Sequence, residues 1–270
     1  MADPAWDGVG NDPWLTARLA ALAEFAMLEE DIREAIWLAL SAWLVRVSRA
    51  VLSSIRPDPA AVWSLSPAWD TEVREIVNGP IKAAVQSAYT PLLGGGYPVD
   101  SRPYVVQHLA AVTNRMVRTP DDVFDLVSAQ LSDGANQGES VDKLSDRVER
   151  VLSATDTERW PNRATVVART EVIGALNAGR HDAFNAVSEV TGETYEKMWI
   201  TCLDKRTRET HRKSDGQRVL VARPFVVGGV SLMHPGDPTG PAREVIQCRC
   251  TTILLKPGEN IDLTNRPVKY

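Results

Sequence analysis

The residues with most chemistry to offer lie in the last quarter of the chain: Cys202, His211, Cys248 and Cys250. Three thiols and one imidazole make a Cys3His donor set, a combination that suits tetrahedral zinc. One residue separates Cys248 from Cys250, and on a strand that spacing turns both sulfurs to one face. It is tighter than the spacing of ordinary zinc knuckles. The same residues have a second arrangement without metal: two small buried hydrophobes beside a hydrogen-bonded His211. Zinc is the one cofactor the sequence raises. An odd cysteine count, with none before position 202, is a poor disulfide framework and fits synthesis in a reducing cytoplasm.

A hydrolytic centre is the next chemistry to weigh. Asp204, His211, Asp215 and Asp237 supply carboxylates and an imidazole for metal-assisted hydrolysis or acid–base work. No His-Glu-x-x-His, nucleophile elbow or phosphate-cradling glycine loop accompanies them. Cap and turn chemistry accounts for the same residues: Asp204 before a short helix opened by Lys205, and turns at Asp215-Gly216 and Pro235-Gly236-Asp237-Pro238. No catalytic residue is therefore expected.

Arg169, Glu171 and Asn177 sit among Val166, Val167, Ile173 and Leu176 in a helical stretch, and such groups are costly to bury unless paired. They are expected to form a polar clamp to the C-terminal part, with Arg169 reaching Asp204 or the loop that carries Asp237. Lys205, Arg206, Arg208, Arg212 and Lys213, with Arg218 and Arg223, give a local basic patch. It suits duplex DNA or an acidic protein surface, and reads equally well as a solvated face. Trp6 and Trp14, flanked by Asp, Gly and Pro, are candidate anchors for a protein partner.

These residues must be positioned by elements of two textures. From Pro13 to about Ser188 the apolar residues recur at helical spacing. The first helix, capped by Asp12 with Pro13 in its first turn, carries Leu15, Leu19, Leu22 and Phe25; the acidic Glu29, Glu30 and Asp31 are a candidate break. Asn78-Gly79-Pro80 interrupts a later helix, and Gly94-Gly95-Gly96-Tyr97-Pro98 is the best hinge. Thr119, Pro120, Asp121 and Asp122 open a helix with a Thr cap; Ser140 caps another; a long helix spans Asn162 to about Val190. From Tyr195 onward the chain is β-branched and Gly/Pro-punctuated. Strands are expected at 195–202 (packed on both faces), 217–221 and 250–255, with a short helix within 206–213.

The fold class is thus α+β: a mainly helical N-terminal two thirds, then a small mixed α/β C-terminal domain with short strands. The divisions expected are 1–94 (an N-terminal helical region for partner binding or self-association), 95–137 (a helical connector), 138–256 (the C-terminal domain) and 257–270 (a loose tail). At 44% hydrophobic and 24% charged the chain is globular in composition, and a net charge of −5 excludes a chain-wide basic coat. The N-terminus has neither the basic nor the apolar segment of a signal peptide. The most apolar run, Ala35 to Val45, is too short for a membrane span.

The order of short motifs is more specific than any of them alone. Arg169-Thr170-Glu171 and Asn177 are followed by Trp199-Ile200-Thr201, Asp204-Lys205-Arg206-Thr207-Arg208 and His211. Then come Asp215-Gly216, Pro224-Phe225, Met233-His234-Pro235-Gly236-Asp237-Pro238 and Cys248-Arg249-Cys250. This series, over roughly Gly138 to Leu255, resembles the phage Mu protein F-like head morphogenesis family of tailed bacteriophages. Gln247 stands where the family pattern leads one to expect Asn, and His234 where an aromatic is common. The resemblance implies a structural minor capsid protein in the virion, inside the head near the portal vertex. Its implied partners are the portal protein, the major capsid or scaffolding protein, and packaged double-stranded DNA, with no membrane. The competing expectation is a metal-dependent hydrolase or nuclease carried in the virion. Some relatives carry fused toxin domains; this chain ends soon after the family region, which favours the structural expectation.

Overall fold

A computed structural model describes residues 13–94, 98–99, 102–153, 159–202, 204–256, 258–259 and 261, with side chains from residue 19 onward. Asp12, Trp6, the side chain of Trp14, the centre of the glycine hinge and most of the 257–270 tail lie outside these residues. The fold is mostly helical, with short antiparallel strands confined to the C-terminal region. It divides into two compact units: one of 1–30, 82–108 and 169–270, the other of 31–81 and 109–168.

The second unit is built from helices. Helix α1 (Pro13–Val51) runs unbroken through Glu29, Glu30 and Asp31, so the candidate break is corrected: Glu is a good helix former and nothing there removes a backbone donor. In this unit α1 buries Ile36, Leu40, Trp43, Leu44, Val47 and Val51. A turn of 3-10 helix (Pro59–Leu65), capped by the Asp58 carboxylate, leads into α2 (Ser66–Ile76). The Trp43 and Trp69 rings meet at 5.4 Å. Each donates its indole N–H, Trp43 to the Leu65 carbonyl and Trp69 to the Met116 carbonyl, both at 2.9 Å. Burying an indole without such a partner would be unfavourable. Asn78-Gly79-Pro80 does not end the helix but lies in a wider π turn, Val77–Ile81, which absorbs the missing proline N–H.

Helices α6 (Thr119–Asn136) and α7 (Val141–Leu152) also belong to this unit. The expected Thr119 cap is corrected: Arg118 holds the cap position, and Thr119 donates to the Met116 carbonyl instead. Ser140 does cap α7, accepting from the Lys143 amide, and Arg147 pairs with Glu139 at 2.6 Å.

In the first unit, α3 (Lys82–Ser87), α4 (Thr90–Leu93) and the start of α5 (Pro103–Met116) surround α8 (Arg159–Thr191) from Arg169 onward. From Thr170 to Phe184 every side chain of α8 except Arg180 is buried. A helix buried on all sides shows no amphipathic stripe, which is why polar residues punctuate it. A sheet of order β2-β1-β5 packs in the same unit, from β1 (Glu196–Ile200), β2 (Arg218–Leu220) and β5 (Thr251–Leu255), all antiparallel. Between β1 and β2 lies α9 (Glu209–Ser214). A hairpin of β3 (Phe225–Val227) and β4 (Val230–Leu232) turns on Gly228 and Gly229, both at positive φ, as a tight hairpin turn requires. Last among the short helices is α10 (Ala242–Val245).

Candidate functional site

Three of the four expected metal donors converge. His211 on α9 and Cys248 and Cys250, on the approach to β5, are all buried, and their donor atoms lie within 4.8 Å of one another. Nδ1 of His211 is 3.3 Å from the Cys250 sulfur and 3.7 Å from that of Cys248. The fourth donor stands aside: Cys202, just after β1, donates its thiol to the Arg249 carbonyl at 2.7 Å. The Cys248 thiol is held well below the usual thiol range by its contact with Cys250, helped by His211, while burial pushes Cys250 up.

Sequence reasoning missed Glu244. This carboxylate on α10 is 4% exposed and lies 3.2 Å from His211 Nε2, an ion-pair distance without hydrogen-bond alignment. It also accepts from the Thr210 hydroxyl at 2.8 Å. An exposed-looking Ala-Arg-Glu-Val run gave no signal; only the turn that folds α10 onto α9 buries it.

The expected clamp is corrected in part. Asn177 meets the C-terminal part: its amide donates to the Cys250 carbonyl at 2.9 Å and its oxygen accepts from the Thr251 hydroxyl at 3.2 Å. Thr170, beside it in the motif, accepts the Gln247 amide at 3.0 Å. Gln247 adopts φ 56°, a left-handed conformation that Asn tolerates better than Gln. That is a physical reason for the Asn expected at this position. Arg169, however, pairs with Glu29 at 2.6 Å, not with Asp204 or the 235–238 loop. Asp204 pairs with Arg249 and accepts from the Arg206 amide and the Thr207 hydroxyl. It therefore makes a turn rather than capping α9, whose cap position is Arg208. Burial would raise its pKa, but Arg249 and these donors outweigh that and lower it. Asp237 closes its own loop, accepting from the Met233 amide at 2.8 Å and from the Thr239 amide and hydroxyl. Glu171 is buried on α8. Of the hydrolytic candidates, Asp215 accepts the Thr201 amide at 2.9 Å. Asp204, Asp215 and Asp237 thus serve backbone turns.

The basic patch divides. Lys205, Arg206 and Lys213 are exposed, the last beside Glu209 at 3.5 Å. Arg208 and Arg212 are half-buried and donate to the carbonyls of Ile246 and Asp204.

A second buried polar group went unread in the sequence. Lys197, fully buried in β1, donates to the Met233 carbonyl at 2.7 Å and lies 3.4 Å from His181 Nδ1. Tyr104 stacks edge-on against His181 and His234, at 4.8 and 5.9 Å between ring centres. Burial brings Lys197 down to about 7 and His181 down to about 2, the latter aided by the neighbouring Lys197 and His234. Nearby, Asp182 accepts from Tyr89 at 2.5 Å and from Arg102 at 2.6 Å. Alternation reads 195–202 as a strand packed on both faces, and β1 is buried from Lys197 to Ile200; no local rule told which group would meet the Lys197 side chain there.

Comparison with known proteins adds relatives to this geometry. A family model described as Phage Mu protein F like protein matches residues 125–253. Minor head protein GP7 of Bacillus phage SPP1 is 30% identical over 141 residues, 51% of this chain and 42% of that protein. The NAD(+)–arginine ADP-ribosyltransferase EFV of Enterococcus faecalis is 28% identical over 152 residues, 56% of this chain but 30% of that protein. The chain thus spans less than half the length of either relative. No solved structure matches it.

Proposed function

We propose that the chain, whose residues 125–253 match the Phage Mu protein F like family model, is a structural minor head protein of a tailed phage. It is incorporated with the portal during head morphogenesis and lies inside the capsid near the portal vertex. The observation that carries this reading is the family match, supported by a relative named as a minor head protein over half of this chain. A scaffold role also accords with the acidic residues of the C-terminal region, because Asp204, Asp215 and Asp237 are engaged in turns. The activity in the other relative's name is not carried over: the match covers 30% of that protein. Among the described residues no helix is long and apolar enough to cross a membrane.

The portal is the first partner in this reading, with the major capsid or scaffolding protein as further contacts. Packaged double-stranded DNA meets the exposed Lys205, Arg206 and Lys213 through sequence-blind phosphate contacts. Co-expression with the portal protein encoded beside this chain, then size exclusion and mass measurement, tests the proposal. A portal ring carrying a defined number of copies is expected. Two separate peaks, with no co-migration, would overturn portal incorporation. In the same preparation, duplex DNA binding should weaken steeply with salt; a salt-independent signal would remove the DNA contact.

A further inference from the structure

We propose that His211, Cys248 and Cys250, joined by Cys202, hold a zinc ion that fastens α9 and the end of β1 to the start of β5. The argument is geometric. Zinc binds sulfur at about 2.3 Å and imidazole nitrogen at about 2.0 Å, so a tetrahedral site sets neighbouring sulfur and nitrogen roughly 3.5 Å apart. The two His211–cysteine separations, 3.3 and 3.7 Å, bracket that edge. Both sulfurs lie close to the same ring nitrogen, and all three donor side chains are buried.

The rest of the histidine fits the same purpose. A metal on Nδ1 obliges the proton to sit on Nε2, and Nε2 faces the buried Glu244 carboxylate at 3.2 Å. A carboxylate behind the far ring nitrogen is the usual companion of a ligating imidazole, and here it stands at ion-pair distance without hydrogen-bond alignment. Glu244 is itself held by the Thr210 hydroxyl. A small cleft bordered by Arg206, Thr207, Gln247 and Arg249 is also lined by His211, Cys248 and Cys250.

Cys202 borders the same cleft and is the fourth donor. Its thiol now donates to the Arg249 carbonyl, the residue between the two other cysteines. Zinc takes cysteine as the thiolate. The resulting set, three thiolates and one imidazole, is a closed structural type with no position open for water. The site thus serves folding rather than catalysis, and it stands independently of the proposed place in the phage head.

The test uses the full chain, expressed with zinc supplied and purified without chelator. Metal analysis should return about one zinc per chain, and a strong chelator should lower the unfolding temperature. Replacement by cobalt(II) should give the visible bands of a tetrahedral ion and sulfur-to-cobalt charge transfer. Cys248→Ser should lose the metal; Cys202→Ser should retain cobalt with weaker charge transfer. Should a variant fail to fold, cobalt titration of the unaltered chain still decides. A folded chain that takes up neither zinc nor cobalt would overturn the site, and an unchanged cobalt spectrum in Cys202→Ser would remove Cys202 from it.

Discussion

Lys197 occupies the middle of β1 with no exposed surface, its ammonium satisfied by the Met233 carbonyl and lying 5.0 Å from the Phe225 ring centre. Burial disfavours its charged form and brings its pKa from the ordinary 10.5 down to about 7. Between those two values the unfolded chain binds a proton that the folded chain does not. Stability should therefore rise with pH across that window, by at most about 1.4 kcal/mol per unit, and the penalty is fully present below about pH 7. Lys197→Met removes the titrating group, so the variant's stability should rise less over the same range. Urea unfolding of both proteins at about pH 7 and about pH 9.5 measures the difference. Parallel pH dependences would show that Lys197 keeps its charge in the fold.

Helix α8 approaches its neighbours through glycine. A Cβ on Gly179 would lie 2.4 Å from the Val85 carbonyl oxygen, a backbone atom that cannot swing aside. Gly174 and Gly236 likewise let α8 meet the Met233–Pro238 loop, with Gly236 at φ 76°. Gly179→Ala should consequently destabilise the protein by about 1–3 kcal/mol, despite the better helix propensity of Ala. Thermal unfolding checks the sign: a higher midpoint would mean that α3 yields to α8 without strain. At this scale the sequence was legible where a rule is local. Pro120 with Asp121 and Asp122 opens α6, Ser140 caps α7, and the Asp215-Gly216 turn precedes β2. It was not legible at Glu29 or Pro80, where the local signal to stop is overridden by continuing helix on both sides.

For the whole molecule, the compact units are assembled from separated stretches of chain. The unit that holds the strands also takes 1–30 and 82–108. Three of its buried or half-buried charges rely on those stretches: Arg169 on Glu29, Arg180 on Glu24, and Asp182 on Arg102 and Tyr89. Removing one member of such a pair leaves an uncompensated charge and costs about 3–5 kcal/mol. A fragment beginning at Gly138 keeps every motif of the family resemblance yet loses all of these partners. It should not fold cooperatively by itself, and adding zinc should not rescue it. A sharp thermal transition with native-like circular dichroism in that fragment would contradict this.

What the sequence alone determined about this protein was its class and its resemblance to a family: helical periodicity up to α8, β-branched texture after it, and the ordered motifs from Arg169 to Cys250. Those signals are local or strictly ordered along the chain, so they can be read without coordinates. It also named Cys202, His211, Cys248 and Cys250 together, because cysteine and histidine are conspicuous by type; the structure converges the last three. Only the tertiary structure decided which partners these residues take. Arg169 meets Glu29 rather than Asp204, Glu244 stands behind His211, and Lys197 is sealed inside. Each of these depends on contacts between elements distant in sequence, where burial sets the strength of a charge and no spacing rule applies.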